Sequence, residues 1–218
     1  MKSALALAGF AIVCIAWAAG PQSSLAGNGH SITSVNGSVK AAPGETYDSV
    51  STVNGDVRVG SGATVDSAHA VNGEIEIEDN ARVGEAKTVN GELRLGEGAA
   101  VERGATTVNG EIHLSKGARV GGDVRTVSGE IEIEGAEVGG DLNTYNGDIE
   151  LTAGAHVRGG IIVKKSRNNG WNWGNDKPPK IRICATCIVD GDLRFERAVD
   201  LKVETGAKIG KVIDESSK

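Results

Sequence analysis

Two cysteines three residues apart, Cys184 and Cys187, are among the few residues of this 218-residue chain with the means for covalent chemistry. The run Cys184-Ala185-Thr186-Cys187 admits a structural disulfide, a redox couple or half of a zinc site. A redox-active pair normally opens a helix, and none is predicted here. Zinc would want two more ligands nearby. The four histidines, His30, His69, His113 and His156, do not converge on one position of the repeat described below. The expectation is a disulfide across a short turn, suited to an oxidising compartment. A second candidate is the pair Trp171 and Trp173, in a basic, Gly/Asn/Pro-rich run that also carries Lys164, Lys165 and Arg167. Exposed indoles stack on sugar rings or anchor a protein partner, and loops on a rigid scaffold commonly carry binding sites. The alternative is that both rings fold back as a lid. A third candidate is a column of carboxylates, Asp56, Glu74, Glu92, Glu111, Glu130 and Asp148. Like charges stacked about 5 Å apart repel. Either a divalent cation relieves them, or solvent and the neighbouring Lys40, Arg58 and Arg94 do, and the second is preferred. No G-x-S-x-G, phosphate-loop or zinc motif occurs. Neither catalysis nor a cofactor is expected.

The carboxylates are periodic because the chain is. Val-Asn-Gly opens at Val35, Val53, Val71, Val89 and Val108, and returns as Val127-Ser128-Gly129 and Tyr145-Asn146-Gly147, in steps of 18, 18, 18, 19, 19 and 18 residues. A fixed period of this length predicts a solenoid whose coils stack on one another. A finer beat of six runs through Val71, Ile77, Val83, Val89, Leu95 and Val101, then Val108, Leu114 and Val120, then Tyr145, Leu151, Val157 and Val163. Four residues after most beats stands a second apolar or small residue, among them Ile75, Ala81, Leu93, Ala99, Ala105 and Ile112. Both sets are expected to face inward. Three six-residue units per coil give three short strands joined by corners, alternating apolar-in and polar-out. The predicted fold is all-β: a three-sided parallel β-helix of about nine coils, on the order of 40 Å long at one strand spacing per coil. General crossover chirality favours the right hand, with a left-handed helix as the alternative. Corner asparagines are expected to bond coil to coil as a ladder. Thr52, Thr88, Thr107, Thr126 and Thr144 are expected to form, with the asparagines, a flat outer face.

Composition agrees with a thin rod: 39% of residues are hydrophobic but only 3% aromatic, too few to fill a wide core. A net charge of −6 offers no basic footprint for nucleic acid. Residues 1–26 read as a signal peptide, with Lys2, an apolar run over 5–19 too short for a confident membrane span, and Ser24-Leu25-Ala26 before the cut. Residues 27–34 are a polar lead-in. Residues 35–212 form one solenoid, whose irregular first coil, with Tyr47 on an apolar beat, serves as a cap. The beat breaks after Val163 and resumes at Ile181 and Ile183, which places an inserted loop at 164–180. Cys187, Val189 and Leu193 carry the pattern on. Leu201, Val203, Ala207 and Ile209 mark a last coil, and 213–218 is a polar tail.

Ala118-Arg119-Val120-Gly121-Gly122-Asp123-Val124-Arg125-Thr126 resembles a coil of the bactofilins, polymer-forming bacterial proteins. So do Glu137-Val138-Gly139-Gly140-Asp141-Leu142, Ala155-His156-Val157-Arg158-Gly159-Gly160-Ile161 and the ending Val203-Glu204-Thr205-Gly206-Ala207-Lys208-Ile209-Gly210. The earlier Val-Asn-Gly-Asp/Glu coils are similar to bacterial β-repeat proteins labelled adhesins. The bactofilin resemblance implies a right-handed three-sided β-helix that polymerises end to end. Bactofilins are typically cytoplasmic, whereas the leader implies export to the periplasm or exterior. The expected function is therefore an exported structural or adhesive solenoid of the cell envelope, able to self-associate into a homo-polymer. The alternative is a module binding a glycan or protein partner through the Trp171/Trp173 loop.

Overall fold

A computed structural model describes residues 30–165 and 177–216. Among them every strand is short, and every strand pairing runs parallel. One sheet has nine strands, one from each coil: Val39–Ala41, Val57–Val59, Ile75–Ile77, Leu93–Leu95, Ile112–Leu114, Ile131–Glu134, Ile149–Thr152, Lys180–Ile183 and Asp200–Val203. With the partial coils at either end this makes about ten turns of a parallel β-solenoid, close to the nine expected. The register is residue-for-residue: Ile75 lies on Leu93, Leu93 on Ile112, Ile112 on Ile131 and Ile131 on Ile149. Each coil thus lays an aliphatic side chain on the one below. The interior is built from Val, Ile, Leu and Ala, with Phe195 the one large ring buried among the described residues. Fully burying one such aliphatic side chain contributes about 1.5–3 kcal/mol, so stability accumulates coil by coil.

The second sheet changes character halfway along. In the first coils one continuous strand bends around a corner: Thr46–Asn54, Thr64–Asn72, Arg82–Lys87 and Ala100–Thr106. The next coil splits this element in two. Arg119–Val120 and Asp123–Arg125 both pair with Ala100–Thr106, and each founds its own ladder down the rest of the rod. Gly121 and Gly122 mark the split. A Cβ at Gly122 would lie 1.6 Å from the Arg103 carbonyl oxygen, so only glycine lets the corner close so tightly on the coil before. From here each coil has three strands, as the beat of six predicts.

The break after Val163 is real, and the pattern resumes where expected. Ile161–Val163 ends one coil and Lys180–Ile183 begins the next, with Ile149 on Ile181 and Leu151 on Ile183. Two backbone N–H groups hold the base of the insertion. Lys164 N–H donates to Thr144 O at 2.9 Å, and Lys180 N–H to Asp148 Oδ1 at 2.8 Å. Tyr47 is half-buried in the first coil, where its hydroxyl accepts the Ala42 N–H at 3.2 Å.

Candidate functional site

The Thr-Val-Asn-Gly corner is the most regular feature of the outer surface, and it inverts part of the expectation. The threonines face inward: Thr52, Thr88, Thr107, Thr126 and Thr144 are all buried. The valines after them face out, with Val53, Val71, Val89, Val108 and Val127 between 36% and 40% exposed and Val35 at 63%. The cause is the carbonyl beneath. Thr52 Oγ1 donates to Gly37 O at 2.9 Å, Thr88 to Gly73 O at 3.1 Å and Thr107 to Gly91 O at 3.2 Å. Thr has the shape of Val plus a donor, so it fills the inner slot and satisfies an oxygen that Val would leave unpaired. The expected threonine outer face therefore does not exist.

The asparagine ladder does form. Asn54 Nδ2 donates to Asn36 Oδ1 at 3.0 Å, Asn72 to Asn54 at 3.0 Å, Asn90 to Asn72 at 2.9 Å and Asn109 to Asn90 at 3.0 Å. Arg197, which the sequence did not single out, reaches Asn146 Oδ1 and the Tyr145 carbonyl across the base of the insertion. Only the shared backbone geometry brings it there, because 51 residues separate it from Asn146.

Beside the corner runs the carboxylate column, unevenly relieved. Arg94 bridges Glu92 and Glu74, the latter at 3.5 Å. Arg58 and Lys40 turn instead to Glu76 and Glu78. Asp56 accepts the Glu74 N–H at 3.1 Å. Burial, and then the neighbouring carboxylates of Glu111, Asp148, Glu150 and Glu132, push the Glu130 carboxyl above its usual range. Among the described residues no group of three or more ligand side chains is placed to hold a metal ion.

Cys184 and Cys187 form the expected disulfide, with Cα atoms 5.2 Å apart. Cys187 is fully buried in the corner slot that Ala155 fills in the coil before. The histidines are dispersed as expected: His113 pairs with Glu132 at 3.0 Å and His156 with Asp190 at 2.7 Å. Of the five residues assigned to the loop site, Lys164 and Lys165 sit at its base, where Lys165 N–H donates to Glu196 Oε2 at 3.1 Å. Trp171, Trp173 and Arg167 lie outside the described residues, so the glycan- or protein-binding alternative rests on them untested.

The C-terminal end presents what the sequence did not announce. Asp200–Val203, Lys208–Ile209 and Val212–Asp214 each pair with one neighbouring strand and have none beyond them among the described residues. Leu201, Val203, Ala207 and Ile209 fill inward positions yet are only partly buried. The same positions are sealed in the coils below: Ile181, Ile183 and Val189 are at most 1% exposed. Among the described residues the last coil therefore shows a parallel edge over a partly covered apolar core.

Fold and surfaces together define a parallel β-solenoid of stacked short coils. Residues 112–212 match the family model for Bactofilin, described as polymer-forming cytoskeletal. The match opens with the coil in which the sheet splits and covers the three-strand coils. No curated protein and no solved structure gives a match. The chain is thus a bactofilin-like β-solenoid, and the family it resembles over residues 112–212 is one of polymer-forming structural proteins rather than of enzymes. It also corrects the expectation of export. A cytoskeletal polymer is assembled from subunits on the cytoplasmic side, and a chain carried to the periplasm or exterior could not join it. Residues 1–26, on which the signal-peptide reading rests, lie outside the described residues. The similarity does not extend to the adhesive role expected beside it. No helix among the described residues is long and apolar enough to cross a membrane.

Proposed function

We propose that this chain is a structural subunit that associates with copies of itself end to end through its terminal coils. The observation that carries the reading is the C-terminal edge, where partly buried Leu201, Val203, Ala207 and Ile209 lie behind strands paired on one side only. An exposed parallel edge is a template for another strand. A second solenoid of the same cross-section would continue both the hydrogen-bond ladder and the aliphatic stacks. Each subunit added buries one coil face of apolar surface at each junction, at about 25 cal/mol per Å². The similarity to a polymer-forming family agrees with this reading.

The test uses two charged substitutions in the last coil, Leu201→Glu and Ile209→Glu. Both positions are already partly solvated, so the fold of the remaining coils should persist by circular dichroism. The wild type is expected to form concentration-dependent filaments in sedimentation and negative-stain imaging, and the double variant is expected to remain monomeric. Filaments of unchanged length and abundance in the variant would contradict the proposal.

A further inference from the structure

The exposed valine column is not used by the end-to-end contact. Val35, Val53, Val71, Val89, Val108 and Val127 form one apolar side chain per coil on an outer corner, from 36% to 63% exposed, in register along most of the rod. An aliphatic ladder left in solvent over six coils is a feature to be covered. Its spacing restricts what can cover it. The knobs repeat once per strand spacing, about 4.8 Å, and a rigid surface meets all of them only if it repeats at the same interval. A second copy of this chain does so by construction.

Charge sets the orientation. On one flank of the valines stand Asp56, Glu74, Glu92, Glu111 and Glu130. On the other flank the registered column reads Thr33, Ser51, His69, Lys87, Thr106, Arg125 and Asn143, with no carboxylate. Lys87 and Arg125 already pair with Glu85 and Asp123 of their own coils, so this flank is close to neutral rather than strongly cationic. Two facing copies can be related in two ways. A two-fold axis across the rods makes them antiparallel and sets carboxylate column against carboxylate column. A two-fold axis along the rods keeps them parallel and sets each carboxylate column against the carboxylate-free flank. Like charges directly opposed are disfavoured.

We infer that the valine corner is a lateral contact between two copies of this chain, paired parallel and in register, with Val89 facing Val89 of the second copy. Six partly exposed valines supply well under the about 800 Å² per partner of a stable interface. The contact is weak for one subunit and adds up when many subunits are joined in a row. This inference takes its avidity from the end-to-end reading, but its test does not depend on that reading.

The full chain is prepared with Val35→Cys, Val89→Cys or Val127→Cys, one at a time, oxidised at high concentration beside the wild type as control, and read on non-reducing gels. Parallel pairing predicts that each variant cross-links to itself. Antiparallel pairing predicts self-linking at neither end and a link between Val35→Cys and Val127→Cys when those two variants are mixed and oxidised together, and overturns the inference. Monomeric cysteines that alkylate rapidly mean a bare corner, and monomeric cysteines protected from alkylation mean cover by the chain itself or by a glycan. Either result overturns it. Failure of the wild type to form filaments would contradict the end-to-end proposal while leaving the cross-link as the reading of the lateral one. In filaments, the triple variant Val53→Lys/Val89→Lys/Val127→Lys is expected to give single strands where the wild type gives paired ones, and pairing that persists in the variant also overturns the inference.

Discussion

Gly91 shows how little freedom one residue of this chain has. A Cβ there would lie 1.9 Å from the Gly73 carbonyl oxygen of the preceding coil, and Gly110 stands in the same relation to Gly91. Gly91→Ala must push two coils apart, and chemical denaturation should show a loss of about 2 kcal/mol or more, near the upper range for overpacking. The buried threonines make a milder case. Thr107→Val keeps the volume but removes the hydroxyl that bonds Gly91 O at 3.2 Å, and a loss of about 1 kcal/mol is expected in the same measurement. Ala70 occupies this slot between Thr52 and Thr88, so the column tolerates the loss of one bond. The inversion of Thr and Val was legible in principle. Hydrophobicity alone sends both Ala105 and Val108 inward, yet they are three residues apart and strand alternation has period two. Ala105 faces in, which sends Thr107 in and Val108 out. What hides the inversion is that the partner of the threonine hydroxyl is a carbonyl one coil away and invisible in sequence.

Electrostatics belong to the scale of the element. Within the carboxylate column, burial and the surrounding acids raise the Glu130 pKa. A carboxyl raised on folding carries no penalty when protonated in both states. The penalty grows as pH rises through the ordinary carboxylate range and on to the folded value, and is fully present above it. Glu130→Gln is therefore expected to be more stable than wild type at pH 7, with the difference vanishing in acid. Thermal unfolding across pH 3 to 8 measures this, and an equal difference at all pH values would contradict it. The columns themselves were plain from the 18- and 19-residue period, and so was the asparagine ladder. The sheet's split at Gly121 and Gly122 was not. Sequence shows two adjacent glycines, but their consequence follows from how closely the Arg103 carbonyl approaches.

At the scale of the molecule the open end decides the account. Its residues cannot be distinguished in sequence from those of any inner coil. Val59 and Val203 are the same residue in the same sheet position, yet Val59 is fully buried and Val203 only partly so. The difference is that one has a coil on either side. The Trp171/Trp173 loop drew attention in sequence because its composition is unusual, whereas the end of the rod has no unusual composition at all. The net charge of −6 opposes close approach of copies, and salt screens such repulsion over a Debye length of about 8 Å at physiological ionic strength. Light scattering should therefore show assembly favoured as salt rises from low to physiological concentration. Assembly driven by ion pairs would show the reverse. The central claim, end-to-end growth, is tested most directly by mass-per-length and length measurements on wild type and Leu201→Glu/Ile209→Glu across a wide concentration range. The account predicts filaments one solenoid or one solenoid pair wide in the wild type and none in the variant. A wild type that stays monomeric at every concentration, or a variant that polymerises equally well, would contradict it.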